Sequence, residues 1–297
     1  IDLKKSPHIA VMLMTTSEHL DYHKDVYEYI DAKRNMLRYQ TASDYAIVNR
    51  DYPASNESDI YSQGNVYYIS RERDAVEQGC YVKDGAVWVR RDKGDRRDKG
   101  DRGEKIVDTS EILLPGKHNL ENVCAAVMAA TLAGVSKENI ASVLKTLKGL
   151  EHRLELVGEV NGVRYYDDSF STTPETAIAA IQAFQQPEVL ILGGSSKGSD
   201  FSELSQVIYK AKNIRAIIGI GVEWGRIKER IMNYESRIML IEGAQNMKQV
   251  VAAASKVAQR GDVVLLSPAC ASFGMFTNYK ERGEQFRKEV KELISKL

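Results

Sequence analysis

The sequence predicts an α/β protein with two cores, and three observations carry that expectation. From Leu154 onward, short near-continuous apolar stretches alternate with helical patterns, the rhythm of a parallel, doubly wound sheet covered on both faces. Before that point the chain is a strand-rich mixture with a hairpin, CYVKDGAVWVR, turning at Asp84-Gly85. At 297 residues the chain is long enough for each half to bury its own core. The boundary is expected at Gly149-Leu150-Glu151-His152-Arg153, giving segments 1–150 and 151–297.

In the first segment HIAVMLM (His8 to Met14) reads as a buried strand. The stretch from about Lys24 to Arg38 reads as a helix, with Val26, Tyr29, Ile30, Lys33 and Leu37 near one face. Tyr45 to Val48 and Val66 to Ser70 are further strands, and Ile106 to Leu114 is expected to be another. Two helices follow PGKHN, about Leu120 to Ala133 and Ser136 to Lys148, the second capped by Ser136. In RRDKGDRRDKGDRGEK the hexad RRDKGD occurs twice in tandem from Arg90, with eight basic and five acidic side chains and no apolar residue. Mixed sign and the lack of aromatics favour a solvated hairpin extension at about 90–105 over a nucleic-acid arm.

The second segment opens with a hairpin turning at Asn161-Gly162. Strands at Val189 to Leu192, Ala216 to Ile220, Arg237 to Ile241 and Val263 to Leu266 alternate with helices at Phe201 to Ala211, Glu223 to Tyr234, Asn246 to Gln259 and from about Phe276. Ligands of such sheets bind beyond the carboxyl ends of the strands. The loops that matter are therefore Asp167 to Thr173, Gly193 to Asp200, Gly219 to Trp224 and Ser267 to Tyr279.

Bulk properties narrow the function. Lys plus Arg and Asp plus Glu are 41 each, so no net charge draws the chain to nucleic acid or to anionic lipid. Three separated cysteines without CxxC spacing argue against a disulfide framework or zinc site and fit a reducing cytoplasm. No signal-peptide pattern or bilayer-length apolar run is present. The chain begins with Ile1 rather than Met, in what reads as mid-architecture, so an upstream segment is expected.

Several stretches carry candidate chemistry. ILGGSSKGSDF (Ile191 to Phe201) is a strand, a Gly-rich turn with Lys197 and a helix start. It suits an anion or, more plainly, is a tight turn with an exposed lysine; GxxxxGK[ST] is not satisfied anywhere in the chain. YYDDSFSTTPE (Tyr165 to Glu175) places two carboxylates and several hydroxyls at a strand end. Pro174 opens the next helix, and Thr172 or Thr173 is equally readable as its N-cap. His19, Asp21 and His23 resemble a metal cluster, although their spacing is not HExxH. Cys270, in LLSPACASFGMFTNYKERG, has no histidine near it in sequence, the last being His152. That favours a packed residue over a nucleophile.

Taken in order, SPHIAV, EHLDYH followed by AK, PGKHNLENVCAA, LEHRLE, YYDDSFSTTPETAIAA, LGGSSKGSDF and LSPACASFGMFTNYKERGEQF resemble the Mur ligases. The SPACASF block resembles the branch that adds D-glutamate. The resemblance spans essentially the whole chain. It implies an α/β fold made of the latter part of the family's central ATPase domain, followed by its C-terminal Rossmann-like doubly wound domain. The family's UDP-binding domain, its P-loop and a metal-binding Glu have no counterpart in this sequence, so the chain alone is expected to be inactive.

The resemblance also implies roles. His19 matches a magnesium ligand and Lys33 a lysine that is carbamylated to help hold a second magnesium ion; these two are the expected catalytic and metal residues. Asn119 and Asn122 match positions beside the adenine of ATP, and His152, Arg153 and Asp168 match ATP-contacting positions. Thr172, Lys197, Ser272, Phe273 and Tyr279 match the D-glutamate side. The implied reaction is ATP-dependent amide formation in peptidoglycan precursor synthesis, from UDP-MurNAc-L-Ala and D-glutamate through an acyl phosphate. The expected setting is a cytoplasmic monomer that uses no nucleic acid and no membrane insertion. Three features depart from the family: Phe170 stands where some members have lysine, Ser195 where some have aspartate, and the RRDKGD repeat has no counterpart. Two other readings remain at this stage, a non-catalytic ligase-like fragment and a nucleotide-binding oxidoreductase suggested by the GIG at Gly219 to Gly221.

Overall fold

A computed structural model describes residues 4–15, 23–91, 103–195, 198–234 and 238–295. His19, Asp21, Lys197 and most of the RRDKGD repeat lie outside them. The chain forms two compact units, Ile1–Leu147 and Lys148–Leu297.

The first unit holds a six-stranded sheet in sequential order: β1 (Ile9–Met12), β2 (Tyr45–Asn49), β3 (Asn65–Ser70), β4 (Gly79–Lys83), β5 (Ala86–Arg90) and β6 (Glu104–Asp108). β1 to β4 are parallel neighbours, and β4–β5–β6 run antiparallel. The β4–β5 turn sits at Asp84 and Gly85, both at positive φ (49° and 70°), as a two-residue type I′ hairpin requires. Strand alternation sorts the core. Ala46 and Val48 face the α1 helix (Val26–Arg38) through Leu37, while Ile47 faces the α3 helix (His118–Leu132) among Val123, Cys124, Val127 and Met128. The short α2 (Pro53–Asn56) follows β2, and α4 (Lys137–Thr146) is capped by the Ser136 side chain. The strand expected to reach Leu114 ends at Asp108, where a 3-10 turn, Thr109–Glu111, takes over.

The second unit holds β7 (Glu155–Val160), β8 (Val163–Asp167), β9 (Glu188–Gly193), β10 (Ile214–Ile220), β11 (Met239–Ile241) and β12 (Val263–Leu266), ordered β11-β10-β9-β12-β8-β7. All pairs are parallel except β7 with β8, whose hairpin turns at Asn161 and Gly162 with φ of 53° and 79°. Helices α5 (Pro174–Ile181), α6 (Ser202–Lys210) and α7 (Trp224–Met232) cover one face, meeting Leu190, Leu192, Ile217 and Leu265. Helices α8 (Met247–Val257) and α9 (Tyr279–Ile294) cover the other, meeting Val189, Ile191, Ile218 and Leu266. Adjacent residues of one strand thus enter opposite cores, which is why these strands read as unbroken apolar runs. Among the described residues no helix is long and apolar enough to cross a membrane.

Candidate active site

The strand order makes β9, β12 and β8 neighbours, so the loops leaving their carboxyl ends emerge side by side. Backbone bonds weld them together: Asp168 N–H donates to Leu266 O (2.9 Å), Gly193 N–H to Pro268 O (2.8 Å) and Ser195 N–H to Ala271 O (2.8 Å). Open α/β sheets bind their ligands beyond this end of the strands.

A buried polar cluster supports that edge. His152 Nδ1 lies 2.7 Å from Asp167 Oδ2, and both side chains are buried. Asp167 Oδ1 accepts from Ser169 N–H at 2.9 Å. Arg282, fully buried, donates through Nε to Ser169 Oγ (2.9 Å), through Nη2 to Ser169 O (2.9 Å) and through Nη1 to Cys270 O (3.1 Å). One guanidinium therefore ties the β8 loop to the β12 loop. The carboxylate of Asp168 accepts from Leu154 N–H (3.1 Å) and Ser267 Oγ (2.7 Å). Burial pushes Asp168 up to about 7, against the pull of those hydrogen bonds, and lowers Arg282 to about 10. Asp167 is also raised by burial, with the His152 bond opposing.

The segment entering this unit is held in an uncommon conformation. His152 and Leu154 have φ of 62° and 45°, left-handed values that cost side-chain-bearing residues energy and persist only where neighbours enforce them. His152 N–H donates to Glu155 Oε2 (2.9 Å), which also receives Arg287 Nη2 (2.7 Å), while Asp168 holds Leu154. A ring nitrogen of His152 and carboxylate oxygens of Glu155 and Asp167 lie within 4.8 Å of one another, but hydrogen bonds already engage all three residues. Gly283 makes the arrangement possible: a Cβ there would stand 2.2 Å from His152 Nδ1 and 2.5 Å from Asp167 Oδ2.

Beside the buried cluster lies an aromatic surface. Tyr279 meets Phe170 edge-on at 5.1 Å and His152 at 6.0 Å, and the exposed Arg153 guanidinium sits 5.0 Å from the Phe170 centroid. Ser272 is buried, Phe273 is exposed and Thr172 is half-buried. Thr173, not Thr172, caps α5, in a reciprocal capping box with Thr176, which leaves the Thr172 hydroxyl uncommitted to the cap. Ser195 Oγ is enclosed with no hydrogen-bond partner among the described residues. Cys270 is 3% exposed and packs in the core under α5 to α7.

The first unit has its own polar cluster at the carboxyl ends of β2 and β3. Glu121, in the first turn of α3, is 6% exposed. It accepts from Asn49 Nδ2 (3.2 Å) and Tyr52 OH (2.9 Å) and pairs with Arg71 Nε at 2.7 Å. Burial raises the Glu121 carboxyl and, with Glu121 beside it, pushes Tyr52 up to about 12. Asn119 and Asn122 flank Glu121 on the same helix and are linked, Asn122 Nδ2 donating to Asn119 Oδ1 at 3.1 Å. Lys33 is exposed on α1, its Nζ 5.2 Å from the Tyr29 ring and without a carboxylate partner among the described residues.

Of the residues the sequence singled out, His152, Arg153, Asp168, Thr172, Ser272, Phe273 and Tyr279 belong to the second unit, and Lys33, Asn119 and Asn122 to the first. Arg282 and Glu121 went unnamed, and Asp167 was read only as one of two carboxylates at a strand end. The signal was available for two of them: Arg282 is four and eight residues before the buried Phe286 and Val290, and Glu121 is seven before the buried Met128. A charge in a core register needs partners. The GIG glycines serve packing. A Cβ on Gly219 would stand 2.0 Å from the Trp224 ring and one on Gly221 2.6 Å from Gly194 O, so both glycines abut the protein's own atoms.

Comparison with known proteins agrees with this architecture. Residues 2–130 match the Mur ligase middle domain and residues 152–270 the Mur ligase glutamate ligase domain, so the chain belongs to the Mur ligase family. It is 40% identical over 287 residues to the UDP-N-acetylmuramoylalanine–D-glutamate ligase of Thermoanaerobacter sp. (strain X514), covering 97% of this chain and 61% of that one. The ligase of the same name from Bacillus mycoides (strain KBAB4) is 38% identical over 290 residues, covering 97% and 60%. The chain thus spans about three fifths of the length of these relatives. Among solved structures, the MurF ligase from Thermotoga maritima in complex with ADP superposes with a TM-score of 0.64 at 17% identity, over 97% of this chain and 63% of that chain. The UDP-N-acetylmuramoylalanyl-D-glutamyl-2,6-diaminopimelate–D-alanyl-D-alanyl ligase from Acinetobacter baumannii gives 0.68 at 14% identity, over 98% and 59%. At such identities the likeness speaks for the fold.

Proposed function

We propose that this chain is the nucleotide-binding and amino-acid-binding part of an ATP-dependent ligase of peptidoglycan precursor synthesis that joins D-glutamate to UDP-N-acetylmuramoyl-L-alanine in the cytoplasm. In this reading residues 1–150 are the latter part of the central ATP-binding domain and 151–297 the amino-acid-binding domain. The observation that carries it is the convergence of the β8, β9 and β12 loops at one end of the sheet, in a chain 40% identical to a relative named for that ligation.

The chemistry has two steps. A carboxylate oxygen of UDP-N-acetylmuramoyl-L-alanine attacks the γ-phosphorus of ATP and ADP leaves, giving an acyl phosphate. The amine of D-glutamate then attacks the acyl carbon, and the tetrahedral intermediate expels inorganic phosphate. Asn119 and Asn122 would flank the adenine, while His152, Arg153 and Asp168 would contact ATP. The Arg153 guanidinium is open to solvent, and its N–H donors suit bidentate recognition of phosphate oxygens. Thr172, Ser272 and Lys197, with Phe273 and Tyr279 beside them, would receive the two carboxylates of D-glutamate; fixed O–H and N–H donors suit a dianion.

Magnesium would be held by His19 and a carbamate of Lys33, and it supplies charge screening between carboxylate and triphosphate. Lys33 fits that role, being exposed and free of a counter-ion among the described residues, so carbamylation orphans no partner. Exclusion of water from the site would protect an acyl phosphate from hydrolysis. The test is phosphate release by the full-length protein with ATP, UDP-N-acetylmuramoyl-L-alanine and a panel of D- and L-amino acids. D-glutamate is expected to be preferred; preference for another amino acid overturns the substrate assignment.

A further inference from the structure

Phe170 lies in the loop that follows β8, and its surroundings give an exposed aromatic ring a purpose. The backbone on either side of it is pinned: Ser169 O is held by Arg282 Nη2, Phe170 N–H donates to His152 O (3.0 Å) and Ser171 N–H to Asp168 O (2.9 Å). A loop fixed this firmly nevertheless leaves the ring 43% exposed. The ring stands perpendicular to Tyr279, with centroids 5.1 Å apart and an interplanar angle of 89°, and the Arg153 guanidinium carbon lies over it, 5.0 Å from its centroid. Tyr279 in turn stands against His152 at 85°. Among the described residues no carboxylate pairs with the Arg153 guanidinium, so the ring is its recorded support.

An exposed arginine otherwise samples many rotamers and loses that freedom when it binds an anion. An aromatic face holds the cation by the ring quadrupole without consuming its hydrogen-bond donors, whereas a carboxylate would neutralise it. The ring therefore aims the charge and leaves every N–H available. We propose that Phe170 is a positioning residue that presents the Arg153 guanidinium to the polyphosphate of the nucleotide. This rests on the ligase reading for the identity of the anion, but the ordering of Arg153 by Phe170 does not.

The test uses Phe170→Leu, which keeps apolar bulk and removes the ring, and Phe170→Tyr, which keeps the ring. In the 297-residue chain, ¹⁵N relaxation of the Arg153 Nε–Hε group reads the bracket directly. The order parameter should fall toward the flexible range, below about 0.6, in the leucine variant and stay at the wild-type value in the tyrosine variant. In the full-length protein the leucine variant should raise KM for ATP about two- to fivefold, the span of an exposed cation–π contact. Its kcat and its KM for D-glutamate should stay within twofold, and tyrosine should restore KM for ATP. An unchanged order parameter, an unchanged KM for ATP, or equal losses in all parameters overturns the proposal. Wild-type protein that releases no phosphate with D-glutamate defeats the ligase reading instead, and the relaxation measurement still decides whether Phe170 orders Arg153.

Discussion

Gly283→Ala separates local propensity from packing with opposite signs. Gly283 lies within the regular helix α9, so on propensity alone alanine should stabilise it by about 0.5–1 kcal/mol. The added Cβ, however, would stand 2.2 Å from His152 Nδ1, where ordinary contact begins at 3.4 Å, requiring a displacement of 3.4 − 2.2 = 1.2 Å. Moving either partner that far breaks the 2.7 Å His152–Asp167 bond inside a buried site. Losing a charge-assisted bond costs about 1.5–3 kcal/mol, and overpacking adds about 1–3 kcal/mol. Less the propensity gain, the net destabilisation is about 2–5 kcal/mol, or roughly 5–15 °C in Tm for a unit of this size. The chain has two tryptophans, Trp88 in the first unit and Trp224 in the second, so in a Trp88→Phe background urea unfolding followed by Trp224 fluorescence reports the second unit alone. Unchanged or increased stability would refute the packing argument.

Three further outcomes are expected. Glu188, fully buried with Asn213 Nδ2 at 2.8 Å, is pushed by burial from 4.5 up to about 8. The folded state then keeps a proton that the unfolded chain has released, so stability falls as pH rises between about 4.5 and 8, at up to about 1.4 kcal/mol per pH unit. Glu188→Gln should flatten that slope in denaturation curves taken across the window; Asp168, raised in the same direction, remains in both proteins, so identical slopes would contradict the assignment. In the full-length enzyme Lys197→Ala should weaken D-glutamate use at least tenfold, the scale of one charge-assisted contact of about 1.5–3 kcal/mol; unchanged KM and kcat for D-glutamate would remove Lys197 from the site. Cys270→Ala should keep turnover within twofold, since the thiol is packed in the core, and loss of turnover in a folded variant would restore a chemical role for it.

Much of the fold could be read because its signals are local. Asp84-Gly85 and Asn161-Gly162 sit at the positive φ their turns demand, and Ser136 caps the helix it precedes. Doubly buried strands such as Glu188–Gly193 announce themselves as apolar runs. Ile112 and Leu114 continued an apolar alternation past Asp108 and so read as strand, but among the described residues no strand pairs with them and the chain turns at Thr109 instead. What local signals cannot carry is the pairing of β12 between β8 and β9, and the convergence of their loops depends on it. The two aspartates of YYDDSF looked equivalent. Strand geometry sends Asp167 to His152 and Asp168 to Ser267, and only the fold distinguishes the residue that orients from the one held near neutrality.

We propose that the loops at the carboxyl ends of β8, β9 and β12 serve amide formation through an acyl phosphate. The most direct measurement supplies the full-length protein with UDP-N-acetylmuramoyl-L-alanine carrying ¹⁸O in its carboxylate, together with ATP and D-glutamate, and follows the label by mass spectrometry. One ¹⁸O per turnover should appear in the released phosphate, with the other retained in the new amide carbonyl. Phosphate free of label, alongside product formation, would contradict the account.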